Sequence, residues 1–99
     1  MNSYDRVIQL VYEAIADINT TLAPGNALPL SVDTVLTGGG RLDSLAFLKL
    51  AIGIEERIER TFRRTVSILE TALAGDDAET LTVAALAERV ARVLDRVPA

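Results

Sequence analysis

The longest helical pattern in this chain spans residues 43–65, which read DSLAFLKLAIGIEERIERTFRRT. Apolar residues recur along it every three or four positions, the spacing of one face of an α-helix. The members of this stripe are Phe47, Leu50, Ala51, Ile54, Ile58 and Phe62. The pattern predicts a helix from Asp43-Ser44 to about Thr65, closed by Arg63 and Arg64, whose positive charges are favourable at a helix carboxyl end.

The preceding part of the chain predicts a first helix and a long connection. Residues 3–19 carry an apolar stripe formed by Val7, Ile8, Val11, Ala14, Ile15 and Ile18. Residues 20–42 contain two prolines and three consecutive glycines, which do not continue a helix. The apolar residues of this connection indicate that it is pinned to the core: Leu28, Leu30, Val32, Val35 and Leu36.

The following part of the chain predicts two more helices. A short apolar cluster, residues 68–73, is stopped by Gly75. Thr82 is placed to cap a last helix that Pro98 ends, with an apolar face of Val83, Leu86, Val90, Val93 and Val97. No β alternation of useful length is visible. We therefore expect an all-α fold, a small four-helix bundle with a long first loop and a short third helix.

Composition excludes several classes of function. Ninety-nine residues suit a single domain, residues 1–99. The chain has no Cys and no His, which excludes disulfides, thiolate nucleophiles, Cys- or His-based zinc sites and a Ser–His pair. A net charge of −4 and 4% aromatic residues argue against nucleic-acid binding. No signal peptide or membrane-spanning stretch is visible, so we expect a cytoplasmic protein that is not inserted in membranes. No strong apolar seam beyond the core stripe calls for a dimer, and no convergent acid–base pair is visible, so we expect a monomer that is not itself an enzyme.

Ser44 stands between a glycine-rich loop and an apolar helix. A helix start offers free N–H groups and the positive end of the dipole, which suits a phosphate group. No base lies near Ser44 in sequence, so this serine is better suited to modification by another enzyme than to nucleophilic catalysis. The structural alternative is that Asp43 or Ser44 serves only as an N-cap, a role that both residue types fill well.

Three further apolar residues on this helix are surplus to the buried stripe. Leu45, Leu48 and Ile52 lie on another side of the helix, next to Ser44 in sequence. We expect them to form a partly exposed apolar strip, and such patches mark interaction sites.

At these residues the sequence resembles the acyl carrier and peptidyl carrier protein family. In that family an Asp-Ser-Leu motif, here Asp43, Ser44 and Leu45, opens the second helix of a four-helix bundle. The resemblance implies that a phosphopantetheinyl transferase attaches 4′-phosphopantetheine covalently to Ser44. The arm would then carry acyl or aminoacyl groups as thioesters between partner enzymes. Thr82-Val83 matches the Thr-Val that commonly begins the family's fourth helix, so the resemblance covers nearly the whole chain.

The resemblance also implies the partners and the docking residues. The partners would be loading and transfer enzymes of a specialised lipid or secondary-metabolite pathway. The docking residues would be Leu45, Leu48, Lys49, Ile52, Glu55 and Glu56. The sequence does not separate an acyl carrier from a peptidyl carrier, because its glycine-rich loop is closer to peptidyl carriers and its Asp43 is closer to acyl carriers.

One departure from the family concerns charge. Residues 44–66 carry five basic and three acidic side chains, a net +2, where family members are typically acidic. Lys49 stands where an acidic contact residue is common. The arginines of this helix either pair with its glutamates on a solvated face or take part in docking.

The alternative to a carrier is an unmodified helical protein–protein interaction module.

Overall fold

Three helices and one short antiparallel sheet make up the described part of the chain. The computed structural model describes residues 3–22, 25, 27–37, 44–68 and 81–96. In chain order the elements are α1 (Ser3–Asn19), β1 (Val35–Thr37), α2 (Ser44–Phe62), β2 (Leu81–Thr82) and α3 (Val83–Arg96). The Cα radius of gyration is 12.7 Å, close to the roughly 13 Å of a folded chain of this length.

The helix α1 is the element against which both other helices pack. Its buried face is formed by Val7, Ile8, Leu10, Val11, Ala14, Ile15 and Ile18. The helix α2 contributes Leu50, Ala51, Ile54 and Ile58 to the same core, and α3 contributes Val83, Leu86, Ala87, Val90, Ala91 and Leu94. Burying each large aliphatic side chain stabilises the fold by about 1.5–3 kcal/mol relative to exposure, so the two interfaces with α1 hold the helices together.

The long connection between α1 and α2 is fastened to the start of α3. The backbone N–H of Val83 donates to the carbonyl of Thr34 at 3.0 Å, and that of Ala84 donates to the carbonyl of Val32 at 2.9 Å. Leu28 and Leu36 are buried, as expected for a loop pinned to the core. Leu30 and Val32, which we expected in the same role, are instead exposed, and at Val32 the loop is held through its backbone carbonyl.

The sheet corrects the expectation of an all-α fold. Strand β1 pairs antiparallel with β2, with Val35 opposite Thr82 and Thr37 opposite Leu81, and an irregularity interrupts the register between Val35 and Thr37. Buried backbone groups need hydrogen-bond partners, and the ladder supplies them where the loop passes α3. Strands of three and two residues are too short to show alternation in a sequence.

Three of the expected helices are present, with differences at one helix end and in one buried position. The first helix has the expected bounds, and the last begins at Val83 as expected. The helix α2 ends at Phe62 rather than near Thr65. Val93 is exposed and Leu94 takes the buried position one residue later. The described residues contain three helices instead of the expected four, and the short third helix falls, from residue 69 onward, outside the described residues.

Candidate functional site

Ser44, the expected attachment residue, is the first residue of α2. The start of this helix therefore lies where the sequence indicated. Asp43, the rest of the glycine-rich loop and the side chain of Ser44 lie outside the described residues. The attachment geometry accordingly stays a prediction. The described part of the candidate site consists of the residues that follow Ser44 on α2.

At the start of α3, unlike a helix start that could bind an anion, the first N–H groups are bonded to other parts of the fold. The first two donate to the carbonyls of Thr34 and Val32. The third, that of Ala85, donates to Oγ1 of Thr82 at 3.1 Å. Thr82 is therefore an N-cap, as the sequence predicted. Because these donors are committed within the fold, the start of α3 offers little to an anion.

Three apolar side chains near the start of α2 face solvent. Leu45 is 61% exposed, Leu48 37% and Ile52 48%. They follow one another at helical spacing, so they form one line, which we call the α2 strip. The expectation that these residues are exposed is confirmed. Contiguous exposed apolar side chains mark interaction sites, but the docking role of the strip stays a prediction.

The charged residues expected to dock partners have different surroundings. Lys49 and Glu56 are exposed. Glu55 is partly buried, and its Oε2 accepts a hydrogen bond from the backbone N–H of Ile68 at 3.2 Å. Glu55 thus fastens the segment after α2 to the helix. This structural role has no sequence signal, because the partner lies 13 residues away.

Two of the arginines in residues 44–66, Arg57 and Arg64, bind groups on other helices. The guanidinium of Arg57 donates to the carboxylate of Asp17 and lies 3.6 Å from Oε1 of Glu13, both on α1. It also donates to the carbonyl of Gly53 at 3.1 Å. Arg64 Nη1 donates to the carbonyl of Leu94 at 3.4 Å. For these two arginines, the expected pairing with glutamates of their own helix is replaced by contacts that join α2 and its end to α1 and α3.

The remaining charges at the end of α2 surround an open depression of about 660 Å³. Its lining residues are Glu56, Glu59, Arg60, Arg63 and Thr65, and we call it the charged depression. All five are exposed. Within the described part of the chain no ion pair joins its arginines to its glutamates, although the i, i+4 spacing of two pairs allows it.

Arg63 gives the charged depression an unusual backbone. Its φ is +58°, in the left-handed region, and its N–H donates to the carbonyl of Glu59 at 2.9 Å. This is the arrangement that closes a helix with glycine at the same position. A side chain there costs about 1–2 kcal/mol, so an arginine at this position is a departure from the usual choice.

Comparison with known proteins assigns no role to these residues. No family model, curated protein or solved structure matches this chain. Among the helices that the structure describes, none combines the length and the apolar composition that crossing a bilayer requires.

Proposed function

We propose that this chain is a discrete acyl or peptidyl carrier protein that receives 4′-phosphopantetheine on Ser44. The observation that carries the proposal is that α2 begins at this serine and exposes the α2 strip directly after it. A transferase has to reach the serine oxygen and hold the protein beside it. Exposed leucines in the first turns of the helix provide an apolar contact at that place.

The residues around the serine fit such a group as far as they are described. Leu45, the residue after the serine, is exposed, and a helix start favours the negative charge of a phosphodiester. In the transfer the hydroxyl oxygen of Ser44 bonds to the β-phosphorus of coenzyme A and loses its proton to a base of the transferase. Adenosine 3′,5′-bisphosphate is the leaving group. Once attached, the arm supplies a thiol that carries acyl or aminoacyl groups as thioesters.

The chain itself is proposed to hold the serine and to present a docking surface. It contains no His and no Cys, so neither of these acid–base or nucleophilic groups is available for thioester chemistry. Loading and transfer would belong to partner enzymes that bind the carrier in turn. Contacts of modest affinity suit this exchange, because each partner has to leave before the next arrives.

The second candidate is a helical interaction module that is never modified. The observation favouring it is the charged depression, which lies at the opposite end of α2 from Ser44. Such a module would use the same exposed face of α2 but would need no group on the serine.

Intact-mass spectrometry separates the two candidates. The wild-type chain is incubated with coenzyme A, magnesium and a phosphopantetheinyl transferase of broad specificity. We expect the wild type to gain one phosphopantetheine and Ser44→Ala to gain none. Ser31→Ala is the matched control, since it removes another serine hydroxyl, and it should gain the group normally. A gain on Ser44→Ala would contradict the assigned site, and a wild type that stays unmodified would favour the interaction module.

A further inference from the structure

The exposed face of α2 continues from the apolar strip into the charged depression. Leu45, Leu48 and Ile52 are followed at helical spacing by Glu56, then by Glu59 and Arg60. From Leu45 to Arg60 the face extends about 22 Å, at 1.5 Å per residue. It is one continuous surface whose half next to Ser44 is mainly apolar, with Lys49 as its one charged residue, and whose far half is charged.

The charges of this face follow a fixed order along the helix. The two glutamates, Glu56 and Glu59, come first, and Arg60 and Arg63 follow. The centres of the two pairs differ by four residues, about 6 Å or one helical turn. Read away from Ser44, the surface is therefore apolar with one exposed cation, Lys49, then acidic, then basic.

The charged side chains of Glu56, Glu59, Arg60 and Arg63 are exposed. Arg57 and Arg64, the neighbouring cations, are bonded to α1 and α3. Within the described residues Arg60 and Arg63 make no ion pair with the glutamates of the charged depression. Charges that complement those of a partner set the orientation of the complex and the rate of encounter.

The backbone of Arg63 is a second, independent pointer to this end of the helix. Its left-handed φ is a conformation in which glycine is unstrained and arginine is not. Non-glycine residues held in such conformations cluster at sites of function. The strained residue is one of the residues that line the charged depression.

We infer that this face docks an amphipathic helix of a partner protein whose residues read apolar, then basic, then acidic along the contact. Its apolar side chains cover the α2 strip, its basic residue faces Glu56 and Glu59, and its acidic residue is received by Arg60 and Arg63. Arginine can bind a carboxylate through two parallel hydrogen bonds, which fixes the register of the partner. The inference rests on the proposed function for the identity of the partners, which would be the enzymes that the carrier visits.

A second copy of this chain does not fit the same face. In an antiparallel pair the apolar half of one α2 would cover the charged half of the other, and in a parallel pair equal charges would meet. A partner helix with the complementary order satisfies both halves at once. A contact of about 15 residues is also short enough to be reversible.

Two synthetic helical peptides of identical composition test this inference. One presents leucines in one half, then lysines, then glutamates, and the other exchanges the order of lysines and glutamates. Each is also made with its sequence reversed, so that both directions of docking are covered. The unmodified protein is titrated with each peptide, and binding is followed by fluorescence anisotropy. Because no modified Ser44 is needed, a failure here is distinct from a failure of the proposed function.

The complementary peptide should bind the wild type at least about tenfold more tightly than the exchanged peptide. The variant Glu56→Arg/Glu59→Arg/Arg60→Glu/Arg63→Glu keeps the net charge and should reverse this preference. Arg92→Glu, on exposed α3 surface, is the control and should leave the preference unchanged. Equal binding of both peptides, a preference that survives the fourfold variant, or no binding of either at about 1 mM would overturn the inference.

Discussion

The side-chain amide of Asn19 forms two hydrogen bonds with the backbone of Leu28. Its Nδ2 donates to the carbonyl of Leu28 at 3.0 Å, and its Oδ1 accepts from the N–H of the same residue at 2.8 Å. The side chain of Asn19, the last residue of α1, thus gives the connecting loop the two hydrogen bonds that a neighbouring strand would otherwise supply. The loop is thereby fixed near α1 before it runs to Val32 and Thr34, whose carbonyls receive α3.

Replacing Asn19 should therefore loosen the loop and the start of α3 together. Asn19→Ala leaves a partly buried N–H and carbonyl of Leu28 unpaired, and we expect a loss of about 1–3 kcal/mol in the free energy of unfolding. Gln9→Ala, on the exposed face of the same helix, is the control and should change stability by less than about 0.5 kcal/mol. Urea unfolding monitored by circular dichroism measures both. Equal stability of the two variants would mean that the Asn19 bonds do not hold the loop.

Gly53 should tolerate a methyl group with a gain in stability. A Cβ at this position would lie 3.5 Å from Nη1 of Arg57 and 3.8 Å from Cβ of Ala14, which are ordinary contact distances. Since alanine is favoured over glycine inside a helix, Gly53→Ala should stabilise the protein by about 0.5–1 kcal/mol. Gly53→Leu should instead destabilise it, because a larger side chain meets α1. Thermal unfolding of both variants checks the close approach of α1 and α2, and a destabilised Gly53→Ala would refute it.

Arg63 should limit stability through its backbone rather than through its side chain. Arg63→Gly removes the strain of the left-handed φ and should stabilise the protein by about 0.5–1 kcal/mol. Arg63→Ala keeps the strain and should stay near the wild type. Chemical unfolding of the two variants separates backbone from side chain. Both variants should also weaken binding of the complementary peptide, so a more stable Arg63→Gly that binds it normally would remove Arg63 from the docking surface.

Truncating a buried leucine of α2 should lower stability, whereas truncating an exposed one should mainly slow loading. Leu50 is 1% exposed, whereas Leu48 faces solvent two residues earlier on the same helix. Leu50→Ala should cost about 2–5 kcal/mol in stability, and Leu48→Ala less than about 1 kcal/mol. In the transferase reaction Leu48→Ala should nevertheless load more slowly than the wild type. Normal loading of a folded Leu48→Ala would place the α2 strip outside the transferase contact.

Local signals account for most of what the sequence revealed. The bounds of α1, the start of α2 at Ser44 and the Thr82 cap follow from periodicity and from capping chemistry, which act within a few residues. The exposure of Leu45, Leu48 and Ile52 follows from the same periodicity, because one helix face was already filled by other apolar residues.

Contacts between distant residues account for most of what the sequence did not reveal. The β1–β2 ladder joins residues on either side of α2, and its strands are too short to show a pattern. Arg57 binds Asp17 on α1, 40 residues away in sequence, instead of a glutamate of its own helix. The helix α2 ends early because Arg63 takes a left-handed conformation that its residue type does not favour.

A carrier protein of the proposed kind would hold 4′-phosphopantetheine on Ser44 in the cell. The most direct measurement is the mass of the protein purified from its native host, followed by fragmentation of the peptide that contains Ser44. We expect one phosphopantetheine on this serine, either free or with an acyl or aminoacyl group on its thiol. A native protein whose Ser44 is entirely unmodified would rule out the proposed carrier function and would leave an interaction module as the function of this chain.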